Sequence, residues 1–156
     1  MLTIVKEISA ILVEKRWTLS TAESCTGGLI SAAITDMAGS SAFFKGSIVA
    51  YDNFVKSSLL QVPDSILTSY GAVSSQTVEA MVCGVCDLLK TECAISVSGI
   101  AGPGGATPDK EVGLVYIGLK INNTVKNFKC QFYGTRDRVR KNTVKTALLH
   151  LLNNLK

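Results

Sequence analysis

The stretch LSTAESCTGG, residues 19–28, decides the fold of this 156-residue chain. Residues 19–22 favour a short extended segment, a Ser/Thr/Gly-rich turn follows, and a helical pattern begins near Leu29. A strand that runs directly into a helix brings Ser24 close to free backbone N–H groups and the positive end of the helix dipole. Such a site can stabilise a bound phosphate or the oxyanion of an attacked carbonyl. The stretch alone leaves open whether Ser24 performs chemistry or caps the helix.

Helical and strand patterns alternate along the rest of the chain. This alternation predicts one domain, residues 1–156, folded as a three-layer α/β/α sandwich with a mixed β-sheet. Gly46 lies inside a β-rich run and indicates a bulge or bend. The helical patterns cover 3–16, 29–37, 53–60, a short stretch between Pro63 and Gly71, the segment from Ser74 to Leu89, and 137–155; the strand patterns cover 19–22, 43–51, 93–98, 113–120 and 125–132.

The composition excludes several classes of protein. Hydrophobic residues make up 47% of the chain and charged residues 18%, which is typical of a globular domain. No apolar run reaches the roughly 18 residues of a membrane span, and the N-terminus lacks a signal-peptide pattern, so we expect a cytoplasmic protein without membrane contact. The net charge is +4, but basic and aromatic residues do not interleave, which argues against nucleic-acid binding. The five cysteines are expected to be free packing residues, and the lone pair Cys83 and Cys86 predicts no metal site.

A nucleophilic serine needs a base, and the sequence restricts which base is available. The only histidine, His150, falls in the last helical segment, so a Ser-His-Asp triad is not expected. The GxSxG pattern is also missing, since Ser96 stands two residues before Ser98 where a glycine is needed. Lysine and tyrosine remain. Tyr51 ends a β-rich run and Lys56 lies in the first turn of the next helix, where burial and the helix dipole can lower a lysine pKa. The alternative is that Tyr51 packs and Lys56 is solvated.

Two further segments are candidates for ligand binding. The glycine-rich loop 98–105 follows a buried strand, where open α/β sheets bind their ligands, although it could also be a plain tight connection. Arg136 and Arg140 are four residues apart and share a helix face. A pair of arginines directed inward suggests a phosphate or carboxylate ligand, with structural salt bridges as the alternative.

These segments together resemble the CinA C-terminal domain family, whose enzymatic members are nicotinamide mononucleotide amidases (the stand-alone form is called PncC). The resemblance covers essentially the whole chain, so it is far more specific than any single motif. It rests on the segments 21–28, 46–56 with Tyr51, Asn53 and Lys56, 71–74, 98–103, 108–116 and 134–140.

The resemblance implies hydrolysis of the carboxamide of nicotinamide mononucleotide to nicotinate mononucleotide and ammonia, without a metal or other cofactor. Ser24 would be the nucleophile, Lys56 the general base and Tyr51 a proton relay or orienter. A catalytically silent binding or interaction module and an amidase for a different substrate are the alternatives. The expected partner is a small-molecule substrate, and apolar surface on the last helix is compatible with a homodimer.

The residues expected to bind substrate come from four segments. We infer an oxyanion hole at the Thr26 and Gly27 backbone N–H groups. The glycine-rich loop would hold nicotinamide and ribose, and the two arginines the 5′-phosphate. The full set is Thr26, Gly27, Gly28, Asn53, Ser98, Gly99, Ile100, Ala101, Gly102, Arg136 and Arg140.

Overall fold

One five-stranded mixed sheet organises the protein, which a computed structural model describes over residues 1–156. The strand order is β2-β1-β3-β4-β5; β1 pairs parallel with β2 and β3, whereas β3–β4 and β4–β5 are antiparallel. The mixed sheet predicted from the sequence is therefore confirmed. The strands are β1 (Leu19–Glu23), β2 (Phe44–Val49), β3 (Cys93–Gly99), β4 (Leu114–Ile121) and β5 (Thr124–Gln131).

Six α-helices cover the two faces of the sheet. The first, second and last pack together on one face, while the third, fourth and fifth pack on the other, so the three-layer α/β/α arrangement is also confirmed. None of them is long and apolar enough to cross a membrane. The helices are α1 (Leu2–Lys15), α2 (Leu29–Thr35), α3 (Asn53–Leu60), α4 (Asp64–Tyr70), α5 (Ser75–Leu89) and α6 (Arg136–Leu155), with a 3-10 turn at Ser40–Ala42.

Local sequence explains where several elements begin and bend. The Asp52 carboxylate accepts a hydrogen bond from the Phe54 N–H at 2.7 Å and caps α3, and Ser74 caps α5 in the same way. Successive residues of β1 pair with Phe44 and then Gly46, so Lys45 is an extra residue in β2. The bulge expected at Gly46 is thus present.

The last helix contributes its apolar stripe to the core. Ala147, Leu148 and Leu151 are fully buried in the cluster that also contains Leu12 of α1. The stripe is therefore not free surface, and the expected homodimer stays a prediction.

The strand order positions the functional site. The chain moves from β1 to β2 on one side and then returns past β1 to β3 on the other, so the order reverses at β1. In open α/β sheets a cleft forms outside the carboxyl ends of the strands at this reversal. The residues directly after β1, β2 and β3 include Ser24, Tyr51 and the start of the glycine-rich loop.

Candidate active site

A cavity of about 300 Å³ opens at the carboxyl ends of the parallel strands. It contains the predicted catalytic residues and most of the predicted binding residues, but Thr26, Gly27, Gly28 and Arg140 do not line it. The predicted residues that line it are Ser24, Tyr51, Asn53, Lys56, Ser98, Gly99, Ile100, Ala101, Gly102 and Arg136. Gly104 and Gly105 also line it and belong to the predicted loop 98–105, whereas Cys25, Ala72 and Val73 were not predicted.

Ser24 and Lys56 form a direct pair at the base of the cavity. The Lys56 Nζ lies 3.2 Å from the Ser24 Oγ, although 32 residues separate them in sequence. Lys56 is 1% exposed, and its Nζ also donates to the Ala50 carbonyl at 2.8 Å and the Tyr51 carbonyl at 3.3 Å. The alternative in which Lys56 is solvated is therefore wrong.

The surroundings of Lys56 make its amine easier to deprotonate. Burial lowers the pKa of the Lys56 amine from its usual 10.5, while the negative charge of Asp52 partly opposes this effect. A neutral amine has two N–H donors and one lone pair. When the two carbonyls accept those N–H groups, the lone pair is left for the Ser24 hydroxyl. The geometry therefore suits proton removal from Ser24.

Tyr51 contributes to the site through two different groups. Its phenol oxygen accepts a hydrogen bond from the Arg136 Nη2 at 3.0 Å and makes no bond to Ser24 or Lys56. Its backbone carbonyl is the group that contacts the Lys56 amine. The side chain is 60% exposed, so it does not pack in the core and instead forms a wall of the cavity.

The N-terminus of α2 is occupied by the carboxylate of Glu23. This fully buried group accepts hydrogen bonds from the N–H groups of Gly28, Ile30 and Ser31 at 2.8–3.0 Å and from the Thr26 hydroxyl at 2.6 Å. Free helix N–H groups were expected beside Ser24, and this expectation is wrong because Glu23 uses them. Glu23 thus caps the helix, and Ser24 is left free of that role.

The oxyanion hole predicted at Thr26 and Gly27 also needs correction. The Gly27 N–H donates to the Ser24 carbonyl at 3.1 Å, and Thr26 is fully buried away from the cavity. The Cys25 N–H, in contrast, donates to no other residue, and Cys25 lines the cavity. The unpaired N–H of this turn that belongs to a cavity-lining residue is therefore that of Cys25, which directly follows the nucleophile.

The loop after β3 lines the opposite wall. The Ser98 hydroxyl donates to the Ala72 carbonyl at 2.7 Å and holds the loop against the segment before α5. The N–H groups of Ala101 and Gly102 donate no hydrogen bond within the chain, so they are available to a ligand. Gly102 has φ +81°, and a Cβ there would lie 2.6 Å from a Val112 methyl, so a glycine is required.

The two arginines of α6 have different surroundings. The exposed Arg136 lines the mouth of the cavity, where its Nη1 donates to the Gly102 carbonyl at 2.8 Å. Arg140 is directed at the turn after Ser24 and donates to the carbonyls of Cys25 and Thr26. The predicted phosphate role therefore fits Arg136 and does not fit Arg140.

Cys25 lies next to Ser24, but its thiol is not a competing nucleophile. Burial raises the pKa of the Cys25 thiol to about 12, so it is protonated at neutral pH. A protonated thiol is a weak nucleophile, which agrees with the expected packing role.

The fold and this pair define an α/β/α domain with a serine–lysine site at the carboxyl edge of its sheet. The chain matches the CinA C-terminal domain over residues 1–155 and belongs to that family.

Named relatives share both sequence and fold with the chain. It is 51% identical over 146 residues to a CinA-like protein of Endomicrobium trichonymphae, covering 94% of the chain but 34% of that protein. It therefore spans about a third of the length of such relatives. Two crystal structures superimpose closely on the chain. Competence/damage inducible protein CihA from Agrobacterium tumefaciens is 41% identical with a TM-score of 0.91, and the match covers 97% of this chain and 94% of that one. Competence damage-inducible protein A from Klebsiella pneumoniae is 32% identical with a TM-score of 0.95, and the match covers 98% of this chain and 95% of that one.

Proposed function

We propose that this domain is a serine amidase that hydrolyses the carboxamide of nicotinamide mononucleotide to nicotinate mononucleotide and ammonia. The observation that carries the proposal is the 3.2 Å contact between the Ser24 hydroxyl and the buried Lys56 amine inside a cavity. The choice of substrate comes from the resemblance to the amidases of the CinA C-terminal domain family. The activity needs no group other than substrate and water.

The first half of the reaction forms an acyl-enzyme. The neutral Lys56 amine accepts the proton of the Ser24 hydroxyl as Oγ attacks the carboxamide carbon. The negative charge that develops on the carboxamide oxygen is stabilised by the free N–H of Cys25. When the C–N bond breaks, the Lys56 ammonium returns the proton to the leaving nitrogen, which departs as ammonia.

The second half restores the enzyme. Lys56 is neutral again and accepts a proton from a water molecule that attacks the ester carbon. Breaking the C–Oγ bond releases the nicotinate carboxyl group, and Lys56 gives its proton to the Ser24 oxygen. The carboxyl group loses the second proton of the water molecule to solvent and becomes the carboxylate. Tyr51 acts as an orienter in both halves, because its carbonyl holds the Lys56 amine.

The charges around the cavity support an anionic substrate. With Lys56 neutral, the cavity lining still includes the cation Arg136 and no carboxylate. Arg136 lies at the exposed mouth, and its guanidinium can donate to a phosphate in addition to the Gly102 carbonyl. The cavity volume lies at the lower end of the range for small-molecule sites, which fits a mononucleotide better than a polymer.

Ammonia release from nicotinamide mononucleotide tests the proposal directly. We expect turnover by the wild type, loss of at least about 10³-fold in Ser24→Ala, and a strong reduction in Lys56→Ala. Ser58→Ala and Lys145→Ala, which change exposed residues of the same types, are expected to keep full activity.

The other outcomes of this assay are equally informative. Full turnover by Ser24→Ala would contradict the nucleophile assignment. Tight binding of the mononucleotide with no ammonia after long incubation would contradict the amidase and favour the silent binding module. Faster turnover of another amide would retain the serine–lysine chemistry and replace the substrate.

A further inference from the structure

Arg140 joins the last helix to the turn that carries the nucleophile. Its Nε donates to the Cys25 carbonyl at 3.1 Å and its Nη2 to the Thr26 carbonyl at 2.8 Å. Arg140 is half-buried, forms no salt bridge, and does not line the cavity. A guanidinium without a carboxylate partner therefore has two successive backbone carbonyls as its acceptors.

These two carbonyls belong to the second and third of the three peptide units of one turn. Residues 24–27 form this turn, which is closed by the hydrogen bond from the Gly27 N–H to the Ser24 carbonyl. Because a trans peptide is planar, fixing a carbonyl fixes the N–H on the other side of the same plane. Arg140 therefore holds the planes between Cys25 and Thr26 and between Thr26 and Gly27.

The remaining plane of the turn contains the free donor. The Ser24 carbonyl and the Cys25 N–H share one peptide, and the Gly27 N–H sets the direction of that carbonyl. The Gly27 N–H is itself part of a plane that Arg140 holds through Thr26. The guanidinium thus acts on the direction of the Cys25 N–H and, through the same peptide, on the position of the Ser24 side chain. The Val97 carbonyl holds the other side of Ser24, where it accepts the Ser24 N–H at 3.0 Å.

We propose that Arg140 is a positioning residue for the Ser24 nucleophile and the Cys25 N–H, rather than a ligand of the substrate phosphate. This inference rests on the proposed amidase function. Lysine cannot replace the residue fully, since a single ammonium lacks the planar fork that matches two carbonyls. Arg138, two residues earlier on the same helix, is exposed and provides a matched control.

The test compares Arg140→Gln, Arg140→Lys and Arg138→Gln on two substrates, nicotinamide mononucleotide and the nucleoside that lacks its phosphate. Positioning predicts that Arg140→Gln lowers kcat by about 10²-fold on both, because a small misplacement of reacting groups costs that much. We expect the KM of Arg140→Gln to change by less than about threefold. The kcat of Arg140→Lys should lie between those of Arg140→Gln and the wild type, and Arg138→Gln should have the wild-type kcat and KM. A loss confined to the mononucleotide, or an unchanged kcat, would overturn the inference.

A second readout separates this inference from the proposed function. A fluorophosphonate reacts with an activated serine, forming the Oγ–P bond and releasing fluoride while Lys56 takes the proton. If the wild type releases no ammonia, the proposed substrate fails, and the labelling rate of Ser24 still tests Arg140. Slower labelling in the Arg140 variants supports positioning, and an equal rate contradicts it. If Arg140→Gln does not give the wild-type circular dichroism spectrum, Arg140→Lys provides the same comparison.

Discussion

Replacing Glu23 by glutamine is expected to destabilise the fold strongly, although the two side chains have nearly the same shape. The Oε2 oxygen accepts hydrogen bonds from Thr26, Gly28 and Ile30. The Oε1 oxygen accepts one from the Ser31 N–H at 2.8 Å and longer ones from the Thr21 and Ser47 hydroxyls at 3.4 and 3.5 Å. A glutamine that keeps its oxygen at the Oε2 position directs its amide group at the Ser31 N–H. Two donors then face each other, and one backbone N–H has no acceptor.

The size of the effect follows from the four hydrogen bonds of 3.0 Å or less, because the two long ones come from hydroxyls that can rotate to accept from a glutamine amide. Leaving the Ser31 N–H unsatisfied costs about 1–3 kcal/mol, and each of the other three bonds weakens by about 1 kcal/mol when its acceptor loses its charge. Removing a buried charge that has no cationic partner offsets part of this cost. We expect a net loss of about 3 kcal/mol in the free energy of unfolding, equivalent to about 6–12 °C in Tm for a chain of this length.

Urea denaturation followed by circular dichroism measures this loss without any assumption about function. Glu14→Gln, at an exposed position of α1, is the matched control and should lie within about 0.5 kcal/mol of the wild type. A Glu23→Gln protein as stable as that control would refute the conclusion that the carboxylate anchors α2.

Three further predictions concern the site and the packing around it. The value of kcat/KM should rise with pH as Lys56 loses its proton, with a midpoint below the usual 10.5 because burial lowers its pKa. Tyr51→Phe should lower ammonia release by less than about tenfold, since the phenol bonds to Arg136 and takes no part in proton transfer. Gly84→Ala should reduce the free energy of unfolding in urea by about 1–3 kcal/mol or more, because a Cβ would overlap the Leu60 carbonyl.

Each of these predictions has a result that contradicts it. A pH midpoint at or above 10.5 would mean that Lys56 is not the titrating base. A loss of about 10³-fold in Tyr51→Phe would place the phenol in the proton-transfer path. Gly104 is the control for Gly84, since a Cβ there meets nothing within 4 Å. Equal stability of the two alanine variants would show that α3 and α5 can separate at little cost.

The sequence predicted the elements of the fold well because their signals are local. The apolar periodicity of α5 and α6 lies within the helices that it predicts. The capping residue Asp52 likewise directly precedes the helix α3 that it caps. The bulge at Gly46 was predicted from a single glycine in a β-rich run. Element ends differ by one or two residues, as in α2, which ends at Thr35 rather than at residue 37.

The site was predicted less completely than the fold, because it depends on contacts between residues that are far apart in sequence. Arg140 was assigned to phosphate from its helix face, but its partners are 114 and 115 residues away in sequence. Glu23 was missed because it ends β1, five residues before the Gly28 N-cap, whereas the usual signals are a polar residue at the N-cap or an acidic residue in the first turn. The elimination of histidine left lysine and tyrosine as possible bases, and the roles of Ser24 and Lys56 came from the resemblance to the CinA C-terminal domain family. Their contact could not be predicted from the sequence.

The hairpin of β4 and β5 offers a practical route for attaching reporters to this domain. The cavity lies at the carboxyl end of β3, and β4 runs antiparallel to it, so the turn at Asn122 and Asn123 lies at the opposite end of the sheet. Seven paired residues separate the two ends, which corresponds to a distance of about 20 Å. A fluorophore or affinity peptide inserted at this exposed turn would leave the catalytic groups and their supports untouched.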